Sequence, residues 1–429
     1  MDIESYVSDV AHAARAASYA IAGASNETRN RALRSMAESL RERAADIAAA
    51  NAVDMEQASA DGMSAGLLDR LMLDDGRIES MACSLEALAD LADPIGRVLE
   101  HRTIEGGMDL RRVSVPLGVV AMVYEARPNV TVDAAGICLK SGNACVLRGG
   151  SAALHSNKAL VATLRAALTR CGLPADCVCA IETVDRAATD ALMDLHGVVD
   201  VLIPRGGAGL IRRCVERSKV PVIETGTGNC HVYVHETADF ARARAIVMNA
   251  KTQRTGVCNA CESLLVDRSV AHAFLPGMLQ ELFDAGVVVH ADAAARAAAP
   301  VDAPEGMIVG ADDADWAREY LALEISVHVV EGVDEAVAHV NRYGTGHSEC
   351  IVADEQAPAG SAAIDRFLTG VDAAAVYANV STRFTDGACF GLGAEIGIST
   401  QKLHVRGPFA LDALTSYKYV IRGTGQVRA

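Results

Sequence analysis

A cysteine with cations nearby is the first candidate for chemistry. Residues 249–259 read Asn-Ala-Lys-Thr-Gln-Arg-Thr-Gly-Val-Cys-Asn, so Cys258 stands just after Lys251 and Arg254. It follows a helical pattern from Asp239 to Gln253 and precedes an apolar strand pattern from Cys261 to Val266. An exposed thiol near positive charge ionises more readily than an isolated one. A thiolate so placed is a candidate nucleophile. The chain holds 12 cysteines, however, and most free cysteines are inert buried hydrophobes, so other residues must support the choice. Cys258-x-x-Cys261 has two further readings, a metal site or a disulfide pair. Tetrahedral zinc needs two more ligands, and Cys177 and Cys179 are too closely spaced to be a good second pair, so no metal is expected.

The segment Tyr124-Glu-Ala-Arg-Pro-Asn129-Val-Thr131 ends an apolar run and opens a helical pattern. Ligands of open α/β sheets sit beyond the carboxyl ends of strands. Asn129 therefore has two readings: an amide offered to a developing oxyanion, or a simple helix cap. Two glycine turns also follow strand patterns, Arg148-Gly149-Gly150-Ser151 and Pro204-Arg205-Gly206-Gly207. Glycine lets backbone approach a phosphate and arginine supplies a planar donor fork, although neither turn is a full dinucleotide fingerprint. Thr225-Gly226-Thr227-Gly228 lacks a following helix and is not read as a phosphate loop. Glu224, 34 residues before Cys258, is a base, a substrate contact or a polar strand end.

The elements that must position these residues alternate. Leu33, Met36, Leu40 and Ile47 repeat at helical spacing between a cap at Asn26 and Gly62, within a first stretch read as two helices. Gly118–Tyr124 is a continuous apolar run, as in a strand buried on both faces. Helix 131–139, strand 144–147, helix 156–171, helix 186–195, strand 199–203, helix 208–219 and strand 220–223 follow. A second alternating set spans 239 to about 380, with strands near Ser263, Val287, Ile325, Cys350 and Ala375. Such alternation predicts parallel sheets covered by helices. Residues 101–116 place Gly106-Gly107 between alternating arms, a β-hairpin pattern, and residues 416–421 alternate near the C-terminus. Hairpin and tail are expected to pair between subunits of a homo-oligomer.

With 429 residues, 51% of them apolar, the chain has material for two or three domains. No apolar run is long enough to span a membrane and no signal-peptide pattern is present at the start. The cysteine spacing is not that of a disulfide framework, which predicts reduced thiols and a cytoplasmic location. A net charge of −16 disfavours nucleic acid as the partner.

Four blocks together resemble the gamma-glutamyl phosphate reductase family, a branch of the aldehyde dehydrogenase superfamily. They are 115–133, 139–151, the stretch 249–254 with Cys258-Asn259, and 381–404. The resemblance runs over nearly the whole length. It implies an α/β, aldehyde dehydrogenase-like fold: two α/β domains with parallel-rich sheets plus a small β oligomerisation unit. The implied domains are 1–100 with 117–235 for NADP, 236–405 for catalysis, and 101–116 with 406–429 for oligomerisation. It also implies Cys258 as nucleophile and Asn129 at the oxyanion. Arg148, Gly149, Ser151, Arg205, Gly206, Gly207 and Glu319 are implied at NADPH, with Glu319 at the nicotinamide ribose. Glu224 falls where hydrolytic relatives keep a water-activating glutamate, and its role stays open. Thr255-Gly256, Ala153, Ala378 and Val380 depart from the family pattern.

The expected reaction is NADPH-dependent reduction of L-glutamyl 5-phosphate to L-glutamate 5-semialdehyde through a Cys258 thioester, the second step of proline biosynthesis. Arg127, Lys251, Arg254 and Arg383 are candidates for the substrate phosphate and carboxylate. The implied partners are the small-molecule substrate, further copies of the chain and glutamate 5-kinase. The rivals are a hydrolytic aldehyde dehydrogenase using Glu224 and a non-enzymatic scaffold docking a kinase.

Overall fold

The computed structural model describes residues 2–125 and 127–428, and these divide into two units. The first runs to Thr225 and takes in Leu392–Gly397 and the stretch from Phe409 onward; the second is Gly226–Gly391 with Ile398–Pro408.

Among the described residues, the first unit is built on a four-stranded parallel sheet ordered Val178–Ala180, Ala144–Arg148, Val119–Tyr124, Val201–Arg205. Every residue of Val119–Tyr124 is buried, which explains its unbroken apolar run: both faces of this strand are covered. The chain passes from Val119–Tyr124 outward to Ala144–Arg148 and Val178–Ala180, then returns to the other side for Val201–Arg205. The strand order thus reverses between Val119–Tyr124 and Val201–Arg205, and the carboxyl ends at such a reversal are where open α/β sheets bind ligands. Helix Ile3–Gly23 packs Val7, Ala11 and Ala14 into the same core as Val119 and Ala121.

Helix Asn129–Lys140 is tied down through its C-terminal end. Lys140 is fully buried, and its ammonium donates to Asn26 Oδ1 at 3.2 Å, Asn30 Oδ1 at 2.7 Å and the Ala89 carbonyl at 3.1 Å. Its carbonyl accepts from the buried Arg29 guanidinium. Gly136 leaves room for Leu85 and Leu88, which would lie within 3 Å of any Cβ there.

The second unit carries a seven-stranded parallel sheet. Its order is Ile308–Gly310, Val288–Ala291, Glu324–Val330, Cys261–Asp267, Cys230–Val234, Ser348–Val352, Ala375–Ala378. Phe274, Met278 and Leu282 of helix Arg268–Asp284 pack with Val247 of helix Phe240–Thr252 in one core. Val337 of helix Val333–Tyr343 and Phe367 of helix Pro358–Gly370 pack with Tyr233 in another.

Several expectations change. Five helices, not two, lie ahead of the first strand among the described residues. Helix Asn26–Glu42 is capped by Ser25, whose hydroxyl accepts from Thr28 N–H, rather than by Asn26. The strand expected at 220–223 is reduced to a single bridge between Leu202 and Val222. The expected boundary at 235/236 falls instead at 225/226, because Cys230–Val234 is a strand of the second sheet, paired to Cys261–Asp267 and Ser348–Val352. The hairpin forms as Val98–Ile104 and Met108–Pro116, turning through Gly106 and Gly107 at φ +73° and +79°. The terminal strand Thr415–Arg422 pairs with Met108–Pro116 of the same chain.

Phe274 is fully buried, its ring 5.3 Å from that of Phe240. Phe274→Ala should destabilise the second unit by about 3–5 kcal/mol, read as a lower urea midpoint, by loss of transfer energy plus the cavity left behind.

Candidate active site

In the second unit, Cys258 lies in the turn that leaves helix Phe240–Thr252 and enters strand Cys261–Asp267. The turn is thus at the amino edge of its sheet. The helix begins at Asp239, whose carboxylate accepts from Arg242 N–H at 2.7 Å. Cys258 is half-exposed, and its backbone is held from several sides. The Cys230 thiol donates to the Cys258 carbonyl at 3.2 Å. The Asn259 side-chain amide donates to the Thr385 and Arg383 carbonyls at 2.9 and 3.3 Å. The Thr382 hydroxyl returns a bond to the Asn259 carbonyl at 2.8 Å. Gly228 lies directly against this turn: a Cβ at that position would fall 1.3 Å from the Cys258 carbonyl oxygen. The Gly228 N–H donates to Glu319 Oε1 at 2.7 Å. Burial pushes the Glu319 carboxyl up, and this N–H opposes the shift.

The nearby cations separate into two kinds. Lys251 is fully enclosed, and its ammonium donates to the equally enclosed Glu262 at 2.5 Å. It serves that carboxylate rather than a ligand, which corrects its expected substrate role. Burial pushes Glu262 up to about 7 against the pull of Lys251, and its second oxygen accepts from Leu321 N–H at 3.3 Å. Arg254 is exposed. Arg383 is half-buried and donates from Nε to Gln253 Oε1 at 2.8 Å. Burial and Arg254 lower its proton affinity, while Cys258 lies near enough to favour its charge. Cys261 is fully buried in its strand, and burial pushes its thiol up to about 12. That inert character suits neither a metal ligand nor a redox partner.

In the first unit, the other expected residues gather at the carboxyl ends of the strands. Glu125 N–H donates to the Arg205 carbonyl at 3.1 Å, closing the exit of the two neighbouring strands. Asn129 is the first residue of its helix; Pro128 occupies the cap position, so the capping reading does not hold. The Asn129 amide donates to Asp133 Oδ2 at 3.1 Å and its side chain is exposed. Burial pushes Asp133 up to about 6, opposed by Asn129 and Arg205. Arg127 is exposed, with its N–H on the Glu125 carbonyl.

Arg148 ends its strand almost buried, its guanidinium on the carbonyls of Gly149, Val184 and Asp185 at 3.2–3.4 Å. Its Nε is buried and bonds to no other protein atom. Gly149 is required by Asn157, whose Nδ2 would stand 2.1 Å from a Cβ there. Ser151 is exposed at the start of the turn that leads to helix Leu154–Arg170. Gly206 and Gly207 precede helix Ala208–Arg217, and Glu125 Oε2 accepts from Gly207 N–H at 3.1 Å. Glu224 is half-buried.

These residues fit a dinucleotide: they sit at the carboxyl ends of the strands where the order reverses, with the start of helix Ala208–Arg217 on one side and an orphaned Arg148 Nε at the end of its own strand. Glu125, Gly228 and Cys230 were not singled out in the sequence; of these only the glycine of 225–228 left a signal, a glycine turn with no helix to follow.

Gly228→Ala must push the Cys258 backbone aside. A misplacement of about 1 Å can cost about 100-fold in rate, so this variant should lose at least about that much turnover in a steady-state assay while keeping its circular dichroism spectrum.

A model of the aldehyde dehydrogenase family matches residues 3–301. The gamma-glutamyl phosphate reductase of Thermobifida fusca is 50% identical over 427 residues, covering 100% of both chains. That of Moorella thermoacetica is 51% identical over 415 residues, 97% of each chain. The crystal structure of gamma-glutamyl phosphate reductase from Thermotoga maritima matches with a TM-score of 0.94 at 44% identity, covering 99% of this chain and 100% of that one. The chain belongs to the aldehyde dehydrogenase family and, within it, to the gamma-glutamyl phosphate reductases.

Proposed function

We propose that this chain reduces L-glutamyl 5-phosphate to L-glutamate 5-semialdehyde, releasing phosphate, in the biosynthesis of proline. The observation that carries the reading is a half-exposed cysteine held by its backbone in a rigid turn, within a chain alike over its whole length to enzymes of that name. The Cys258 thiolate attacks the acyl carbon; a C–S bond forms, the C–O bond to phosphate breaks, and phosphate leaves. Asn129 stabilises the oxyanion with its amide N–H, an interaction whose removal costs about 100- to 1,000-fold. NADPH, when bound, would supply the hydride for the thioester carbon. Cys258 then departs as thiolate when the C–S bond breaks and the aldehyde is released. Splitting the reduction through a covalent intermediate replaces one difficult step with two easier ones.

As aldehyde dehydrogenases, members of this family use a nicotinamide cofactor. We assign NADPH to Arg148, Gly149, Ser151, Arg205, Gly206 and Gly207, and its nicotinamide ribose to Glu319. Arg127, Arg254 and Arg383 are assigned to the substrate phosphate and carboxylate. Free cysteines throughout the described residues support a cytoplasmic location. Tyr417, Tyr419 and Ile421 expose one face of the terminal strand, which supports homo-oligomerisation through the three-stranded sheet. The lability of an acyl phosphate supports docking to glutamate 5-kinase.

In the reverse direction, semialdehyde and NADP should give NADPH only when phosphate is present, and Cys258→Ala should abolish it. Phosphate-independent NADPH production would instead mark a hydrolytic enzyme with Glu224 as base. Running the assay with NAD as well as NADP fixes the cofactor. Arg254→Ala should raise the KM for phosphate at least about 10-fold, as loss of a charge-assisted bond implies. Lys251→Ala should instead lower stability by about 3–5 kcal/mol through the uncompensated Glu262, seen as an earlier thermal transition.

A further inference from the structure

The segment 381–385 is fastened to the catalytic turn by its main chain and to the sheet by a side chain. Thr382–Phe384 forms one tight turn, with Phe384 N–H on the Ser381 carbonyl at 3.3 Å and Thr385 N–H on the Thr382 carbonyl at 3.2 Å. The Arg383 and Thr385 carbonyls both accept from the Asn259 side-chain amide, next to Cys258. The side chains then diverge. Phe384 is exposed and gives the turn no apolar anchor, whereas Thr385 is fully buried.

The Thr385 hydroxyl is clasped by two neighbouring strands. Ser348, the first residue of strand Ser348–Val352, donates from Oγ to Thr385 Oγ1 at 2.6 Å. Tyr377, on the adjacent strand Ala375–Ala378, shares a hydrogen bond with the same oxygen at 2.8 Å. His347 Nδ1 stands 2.7 Å from the Ser348 hydroxyl and extends the network into the core. Such buried polar networks fix geometry, because each bond is directional and a displaced partner is left unsatisfied. Arg383 lies two residues before Thr385 in the same turn, with its Nε on Gln253 Oε1 at 2.8 Å. Cys258 is near enough to favour the charge on its guanidinium.

We propose that Thr385 is a positioning residue for the reaction: its clasped hydroxyl sets where Arg383 stands relative to the Cys258 sulfur. The inference rests on the reading above, in which Arg383 receives negative charge of the substrate beside the nucleophile. Without the hydroxyl, the turn keeps its carbonyl bonds to Asn259 but loses its fixed place on the sheet. A cation on a long side chain then drifts from the sulfur, although the fold around it persists.

Alkylation of Cys258 by iodoacetate and by iodoacetamide, followed by mass spectrometry at the peptide that carries it, reads this placement. The reagents differ chiefly in charge, so the ratio of their rates reports the cation beside the sulfur. A general loosening of the turn changes both rates alike and leaves the ratio. Arg383→Ala should lower the iodoacetate-to-iodoacetamide ratio about fivefold, the attraction of one unit charge near water. Thr385→Val, which keeps the shape and removes the hydroxyl, should lower it about threefold. Thr385→Ser should restore it, and Thr385→Val should lower it no further in an Arg383→Ala protein. An unchanged ratio in Arg383→Ala or Thr385→Val, no restoration by Thr385→Ser, or equal losses with and without Arg383 would overturn the proposal. Should Thr385→Val not fold, Tyr377→Phe, which removes the Tyr377 bond to that hydroxyl, carries the same outcomes. The assay needs no substrate, so its failure is distinct from phosphate-independent turnover in the reverse reaction, which would overturn the reading of function instead.

Discussion

The Cys258 carbonyl occupies the place where a side chain on residue 228 would have to be, and much of the second unit serves to keep it there. Gly228 is drawn in by Glu319, Cys230 donates to the same carbonyl, and Asn259 and Thr382 fasten the next residue to the segment 382–385. These bonds fix the backbone of the turn, and such anchoring suits the residue proposed here as the nucleophile, which must form and break a bond in each turnover. Close backbone contact is a stiffer restraint than a flexible side-chain bond, because it has no rotamer to relax into.

The Lys251–Glu262 pair works on the same turn from inside the fold. Burying two opposite charges costs several kcal/mol per ion, and good geometry with extra hydrogen bonds is needed to offset it. Here the geometry is a 2.5 Å contact, with Leu321 N–H on the remaining oxygen. The pair joins the end of helix Phe240–Thr252, the start of strand Cys261–Asp267 and the segment 319–321. That segment also carries Glu319, which holds Gly228. A hydrophobic replacement could match the pair's net stability, yet it would not fix these three backbones with the same directionality.

The alternating strands and helices of both units were legible because parallel strands buried on two faces carry unbroken apolar runs, as Val119–Tyr124 does. Cys230–Val234 was not, because His231 interrupts its apolar character. Glu349 accommodates that histidine by accepting from its Nδ1. Lys251 shows the opposite failure. Proximity to Cys258 in sequence suggested a ligand, but helical geometry turns its side chain inward to a carboxylate eleven residues on. Such pairings arise from tertiary contact and leave no periodic trace. Asn129 lay between: the helix start was visible, but that Pro128 takes the cap position was a matter of backbone geometry.

Gly206 and Gly207 carry the same lesson into the turn proposed to meet the cofactor. Read as sequence, they are glycines that let phosphate approach; in the fold, a Cβ on Gly206 would meet Glu125 Cδ at 2.6 Å, and Gly207 N–H already has the Glu125 carboxylate. The N-terminus of helix Ala208–Arg217 attracts negative charge, and an internal carboxylate satisfies part of that demand. A phosphate of the dinucleotide and Glu125 cannot both accept the single Gly207 proton. The dinucleotide binding proposed at this turn therefore requires the amides beyond Gly207 or a movement of Glu125. Glu125 is exposed, so such a movement returns its charge to water rather than to the core and carries little desolvation cost.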